Sequence, residues 1–105
     1  MTDAARRCPV PGCHEALGQT RQGDPWLMCR RHYFRLDNAH SSRLWRAYRS
    51  WQRLERQRLR IRAEKKDIPP ALLLAIAAAM SEYLDVRTEC IESVREPGEQ
   101  LELAN

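Results

Sequence analysis

Three cysteines and one histidine near the N-terminus have the residue types and the spacing of a metal site. Cys8, Cys13, Cys29 and His32 form the pattern C-x4-C-x15-C-x2-H. Zinc prefers four thiolate or imidazole ligands in a tetrahedron, and structural sites often take them from two close pairs separated by a loop. The spacing therefore predicts that these four residues bind Zn²⁺ in a closed, structural site.

Each ligand pair predicts its own local structure. The first pair brackets a proline-rich turn over residues 8–13, in which Gly12 can adopt the positive φ that a metal-binding knuckle needs. The second pair, Cys29 and His32, is spaced i, i+3, so both side chains share one face of a first helical turn. We expect residues 26–28 to be a strand or extended segment that packs on the knuckle.

Other roles for these residues stay open. Four cysteines can form two disulfides in a secreted domain, but the chain starts without the apolar segment of a signal peptide. Cys90 stands alone in a helical pattern, as a small buried side chain would. His14 is an alternative fourth ligand. A Cys29–His32 dyad would be the candidate catalytic pair, but a closed four-ligand site leaves no open position, so we expect no enzyme activity.

Length and periodicity predict the elements that hold this site. The 105 residues suit one small domain or a module with an extension. Ser41 and Ser42 are good N-caps for one long helix, and Pro69 and Pro70 separate it from another. The predicted fold is mainly α, with a small N-terminal zinc-knuckle or treble-clef-like module and a long antiparallel helical hairpin. The predicted segments are a flexible tail 1–7, the zinc module 8–36, the hairpin 41–96 (helices about 41–66 and 70–95) and an acidic tail 97–105.

Apolar residues recur at helical spacing in both long segments and predict the hairpin core. In the first helix they are Leu44, Ala47, Trp51, Leu54 and Ile61, interrupted by Arg58. In the second helix they are Leu73, Ile76, Met80, Tyr83, Cys90 and Val94, broadened by Leu72, Leu84, Val86 and Ile91. The unusually apolar stretch 71–80 also suggests self-association or a bound partner, and it is too short to span a bilayer.

Charge is divided unevenly along the chain. Residues 1–66 hold 16 Lys and Arg against 6 Asp and Glu, a net charge of +10, whereas residues 67–105 hold 2 against 8, a net charge of −6. A strongly basic segment favours nucleic acid or an acidic protein surface as its partner. The predicted contact residues are Arg46, Arg49, Arg53, Arg56 and Arg60, with Trp45, Tyr48 or Trp51 available to stack on bases if they are exposed.

Two short runs add a resemblance to a known group of proteins. The run 28–33 (MCRRHY) followed by the run 44–49 (LWRAYR) resembles small zinc-finger-like proteins encoded by bacteriophages and prophages. The resemblance covers about residues 8–49, and Tyr33 and Asp37 stand where those proteins commonly have tryptophan and proline. It implies zinc binding and a mobile-element origin, and little about activity.

Together these features predict a non-enzymatic, zinc-stabilised interaction module in the cytoplasm of a bacterial host. Its expected partner is nucleic acid or a host nucleoprotein complex, contacted through the basic helix. The alternative is a phage-encoded inhibitor of a host defence complex, similar to an anti-CRISPR protein, that acts by protein–protein contact or by nucleic-acid mimicry. In that case the acidic second helix of the hairpin, about residues 70–95, and the acidic tail become candidate contact surfaces.

Overall fold

The computed structural model describes residues 7–19, 21 and 26–95, and three α-helices follow one another in this part of the chain. They are α1 (Arg30–Tyr33), α2 (Asn38–Ala63) and α3 (Pro70–Val94). No strand forms among the described residues, although Arg7 and Ala16 make an isolated antiparallel bridge. The chain divides into two compact units, one comprising residues 1–37 and 90–105 and the other residues 38–89. The mainly helical fold with a long helix pair is confirmed.

The start of α2 lies three residues before the predicted start at about residue 41. The helix begins at Asn38, which makes Asp37 the N-cap residue, and aspartate is as good a cap as serine. Ser41 lies inside the helix, where its hydroxyl donates to the Asn38 carbonyl at 3.3 Å. A serine hydroxyl that bonds back into its own helix no longer competes to end it.

The end of α2 is a Schellman motif with an unusual residue at its critical position. The amide of Lys66 donates to the Ile61 carbonyl at 3.2 Å, and the amide of Lys65 donates to the Arg62 carbonyl at 2.9 Å. Lys65 has φ 59°, the left-handed conformation that glycine normally supplies at this position. A lysine side chain there is strained by about 1 kcal/mol.

We therefore expect Lys65→Gly to raise the free energy of unfolding by about 0.5–1 kcal/mol. Chemical denaturation followed by circular dichroism measures this change. Lys66→Gly is the matched control: it adds the same flexibility next to the left-handed position, so it should destabilise the chain slightly. Equal effects of the two substitutions would contradict this explanation.

The start of α3 agrees with the prediction. Pro70 is the first helical residue, where a missing N–H is harmless, and the amides of Leu72 and Leu73 both donate to the Pro69 carbonyl. The six residues 64–69 between the helices make a short connection, so α2 and α3 form an antiparallel pair. Residues 96–105, which include the predicted acidic tail, lie outside the described residues, as do residues 1–6.

An aromatic cluster forms the centre of the packing between α2 and α3. Tyr83 of α3 is buried, stacks on Trp51 at a centroid distance of 5.5 Å, and meets Tyr48 edge-to-face at 5.6 Å. Leu44 and Ala47 are the fully buried residues of α2. Aromatic pairs of this geometry add about 0.5–1.5 kcal/mol each beyond the area they bury. The predicted core of the first long helix therefore does face α3.

The prediction of which residues of α3 face the core was wrong over the first half of the helix. Leu72 and Val86 are buried, whereas Leu73 and Met80 are 48% and 40% exposed. The stretch 71–80 is apolar on all sides, so its own periodicity cannot decide which face turns inward. The partner helix decides instead, and the row that packs against α2 is Leu72, Ile76, Ala79, Tyr83 and Val86.

One exposed ion pair agrees with the register that the aromatic cluster gives the hairpin. The Arg43 guanidinium donates to both carboxylate oxygens of Glu89, at 3.2 and 3.0 Å. These hydrogen bonds, together with the positive charge of Arg43, lower the pKa of Glu89. Glu89 of α3 thus lies beside an arginine of α2. Glu92 instead pairs with Arg95 at 2.8 Å.

Candidate metal centre and basic surface

The first ligand pair lies on a tight, hydrogen-bonded turn. The amide of Cys13 donates to the Val10 carbonyl and the amide of Cys8 donates to the Glu15 carbonyl, both at 3.0 Å. Gly12 has φ 84°, as the sequence predicted for this position. The turn therefore brings the Cys8 and Cys13 thiols together from one loop, and both residues are buried.

The second ligand pair lies at the start of α1. Cys29 is the N-cap residue, with extended φ and ψ of −64° and 158°, and His32 is the third residue of the helix. The amide of Tyr33 donates to the Cys29 carbonyl at 2.8 Å, which closes the turn that holds both ligands. The expected first-turn geometry is confirmed.

The four ligand atoms converge to the dimensions of a tetrahedral zinc site. The Sγ and Nδ1 atoms of Cys8, Cys13, Cys29 and His32 all lie within 4.8 Å of one another, and all four residues are buried. Cys13 Sγ is 3.8 Å from Cys29 Sγ, close to the edge of about 3.8 Å that Zn–S bonds of about 2.3 Å give a tetrahedron. His32 Nδ1 is 3.2 Å from Cys29 Sγ and 3.6 Å from Cys8 Sγ. These residues are therefore positioned to bind a metal ion.

The donor chemistry agrees with that geometry. All four cysteines are free thiols, and the 3.8 Å between Cys13 and Cys29 is far longer than the S–S bond of about 2.05 Å in a disulfide. Three thiolates and one imidazole suit zinc, the typical ion for this ligand set. When bound, the ion would join the knuckle to α1 and fill the set of ligands, so its contribution is structural.

Burial makes the protonation of the thiols part of metal binding. Burial raises the pKa of Cys8 to about 12, although the backbone amides of Cys29 and Val10 oppose that rise. Burial also acts on Cys13, but the Glu15 amide and the Cys29 thiol outweigh it and lower its pKa. At neutral pH a metal ion must therefore displace at least the Cys8 proton.

We expect zinc affinity to fall as the pH falls, because protons compete with the ion for the ligands. Each displaced proton makes the affinity change about tenfold per pH unit, so acidification from about pH 7.5 to 5.5 should weaken binding at least 100-fold. Competition with a chromophoric chelator across this range measures the effect. An affinity that does not vary with pH would mean that no thiol is deprotonated on binding.

Three further predictions concern His14, Cys90 and residues 26–28. His14 is exposed and lies outside the ligand cluster, so it is not the alternative ligand. Cys90 is fully buried and also outside the cluster, as predicted. Trp26 and its two successors form no strand, but Leu27 and Met28 are buried in the same compact unit.

The five predicted contact arginines form one continuous exposed row along α2, the arginine row. Arg46, Arg49, Arg53, Arg56 and Arg60 alternate spacings of three and four residues, which places them in a sector about 80° wide, opposite the face that meets α3. All five are exposed, and none forms an ion pair with any residue that the structure describes. The row is about 21 Å long.

The aromatic side chains of α2 are not free to stack on bases as predicted. Tyr48 and Trp51 are half-buried because they pack on Tyr83. Trp45 is half-buried too: it meets Tyr48 edge-to-face at 5.8 Å, and the Arg49 guanidinium lies 5.2 Å from the centre of its ring. The structure thus leaves the arginines, rather than the aromatics, as the exposed groups of this surface.

Comparison with protein-family models, with curated protein sequences and with solved structures finds no match to this chain. The resemblance to small phage zinc-finger-like proteins therefore stays a prediction. In the described part of the chain no helix combines the length and the apolar character needed to cross a lipid bilayer.

Proposed function

We propose that this chain is a zinc-stabilised, non-enzymatic interaction module that binds nucleic acid, or a complex that holds nucleic acid, through the arginine row. The observation that carries the proposal is the row itself, five exposed guanidinium groups without an ion pair among the described residues. Phosphate contacts of this kind supply most of the affinity in sequence-independent binding.

The chemistry of the row favours phosphate over a neutral surface. Arginine donates through a rigid fork that matches phosphate oxygens, and it is less strongly hydrated than lysine. A solvated structural helix usually mixes signs of charge, whereas the 15 residues from Arg46 to Arg60 contain one acidic residue, Glu55. Glu55 lies outside the row and pairs with Arg58. Glu55 and Arg58 are both half-buried, so neither neutralises the row.

The zinc site supports the non-enzymatic part of the proposal. The four ligands lie in one compact unit, residues 1–37 and 90–105, and the arginine row lies in the other, residues 38–89. The metal ion would order the unit that contains the ligands, whose own apolar core is small. A ligand set closed by four protein atoms favours binding over catalysis, because it leaves no position for a substrate.

An inhibitor of a host defence complex is the second candidate function. The exposed acidic residues Glu82 and Asp85 of α3 favour it; they share one flank of the helix with Glu89, which is paired with Arg43. A row of carboxylates can occupy a basic channel as nucleic acid does. Both functions agree with a phage origin and with the reducing cytoplasm of a bacterial host, which keeps the thiols available for zinc.

Salt-dependent binding tests the proposal. Fluorescence anisotropy of the zinc-loaded chain is measured with short duplex DNA and with single-stranded RNA. If all five arginines contact phosphates of the duplex, the logarithm of the affinity falls with the logarithm of the salt concentration with a slope of about −4.5, about 500-fold between 50 and 200 mM. No binding to either ligand at low salt would overturn nucleic-acid binding and favour a protein target.

A further inference from the structure

α3 has an apolar row of side chains that stays exposed, in addition to the row that packs against α2. The members of the exposed row are Leu73, Ala77, Met80 and Leu84, which we call the outer row. The exposed fractions of its large side chains are 48% for Leu73, 40% for Met80 and 38% for Leu84. The row lies about 100° around the helix from the residues that pack on α2, so a single helix presents two apolar faces.

We propose that the outer row binds the outer row of a second copy of this chain, with the two α3 helices antiparallel. The members of the row are separated by four, three and four residues, and this order of spacings is the same in both directions along the chain. An antiparallel two-fold pairing therefore places Leu73 against Leu84 of the other copy at both ends. In the middle it places the small Ala77 against the large Met80, so that each side chain fills the space its partner leaves.

The charges around the outer row permit this pairing. Residues 70–81 contain no charged side chain, so the pairing buries no charge and opposes no like charges there. The acidic residues Glu82, Asp85 and Glu89 lie on the other flank of α3, where Glu89 is held by Arg43. Arg87 lies three residues beyond Leu84, half-buried, with its guanidinium 5.9 Å from the centre of the Tyr83 ring. A second copy thus meets a strip that is uncharged from residue 70 to residue 81 and has one arginine at its C-terminal end.

The neighbouring flank of α2 extends the strip. The pairs Arg43–Glu89 and Tyr48–Tyr83 set a register in which Leu59 lies at the level of Leu73. Leu59 is 52% exposed. The outer row is about 17 Å long, and stable dimers bury about 800 Å² on each partner, so the flank of α2 has to contribute as well. Two hairpins joined in this way make a four-helix bundle.

Analytical ultracentrifugation of the full zinc-loaded chain, without nucleic acid, tests this inference apart from the proposed function. The wild-type chain should sediment as a dimer at micromolar concentration. Met80→Glu should raise the dissociation constant at least 100-fold, because it puts a charge at the centre of the contact. Its helicity should stay unchanged, since Met80 is already partly exposed.

Leu74→Glu is the matched control. Leu74 follows Leu73 and is more exposed, at 73%. It lies on a different row of the helix, whose other members Ala78, Ser81 and Asp85 are small or polar. This variant should remain dimeric. A monomeric wild-type chain would overturn the inference, and so would a dimer that Met80→Glu leaves intact or that Leu74→Glu dissociates.

The orientation has its own test. In the antiparallel arrangement a Leu73→Cys chain mixed with a Leu84→Cys chain should form a disulfide between unlike chains. Neither variant alone should cross-link to itself, because its two new thiols lie about 17 Å apart along the helices. Self-cross-linking of each variant would show a parallel pairing and overturn the antiparallel one.

Discussion

Cys29→Ala should abolish zinc binding and unfold the compact unit that contains residues 8–36. The substitution removes the thiolate that lies 3.2 Å from His32 Nδ1 and 3.8 Å from Cys13 Sγ, so the remaining three ligands no longer close the site. Structural zinc supplies on the order of 10 kcal/mol of apparent folding free energy to small modules. The apolar core that remains in this unit, chiefly Val10, Leu27, Met28, Cys90 and Val94, is too small to replace it.

Zinc content and amide hydrogen exchange together measure this effect. The expected result is a metal-free chain in which peptides from residues 8–36 exchange without protection; Cys13→Ala should behave in the same way. Cys90→Ala is the matched control, since Cys90 is equally buried but outside the ligand cluster, so it should keep its zinc at a cost of about 1 kcal/mol. Unchanged zinc content and melting in Cys29→Ala would refute the zinc core.

Reversing three charges in the middle of the arginine row should abolish nucleic-acid binding. In the triple variant Arg49→Glu, Arg53→Glu and Arg56→Glu, three phosphate contacts become repulsions, so affinity at low salt should fall at least 100-fold. Helicity and zinc content should not change, because all three side chains are exposed and none is ion-paired with a described residue. Anisotropy with the same duplex and single-stranded ligands measures the loss.

A second variant with the same net charge distinguishes the effect of the arginine row from the effect of net charge. Arg62→Glu, Lys65→Glu and Lys66→Glu change the net charge equally but lie at the end of α2 and in the following turn, outside the row. This variant should lose much less affinity than the first. Equal losses would show a diffuse electrostatic attraction, and loss of helicity in the first variant would mean that the row is a structural face.

The metal site could be predicted from sequence because its determinants are local. The pattern of three cysteines and one histidine states which atoms must meet, and the chemistry of the ion fixes how closely they do so. Gly12 could be predicted for the same reason, since a knuckle needs a positive φ that other residues adopt with strain. The hairpin followed from two long helical patterns and a Pro-Pro connection.

The details that failed depend on choices that the local sequence leaves equivalent. Asp37, Ser41 and Ser42 are all good N-caps, so the start of α2 could not be decided by capping alone. Leu72 and Leu73 are equally apolar neighbours, and only the packing of α3 in the folded chain determines which of them is buried. The same ambiguity concealed the outer row, which appears only once the inner face of α3 is known.

Cobalt titration of the metal-free chain most directly tests whether the three cysteines and His32 form a structural zinc site. Co²⁺ is a spectroscopic substitute for zinc, and tetrahedral coordination by three thiolates and one imidazole gives it intense visible absorption. We predict saturation at one ion per chain, displacement by an equivalent of Zn²⁺, and loss of the spectrum in Cys29→Ala but not in Cys90→Ala. A chain that develops no such spectrum, or whose mass shows disulfides in place of free thiols, would contradict the account.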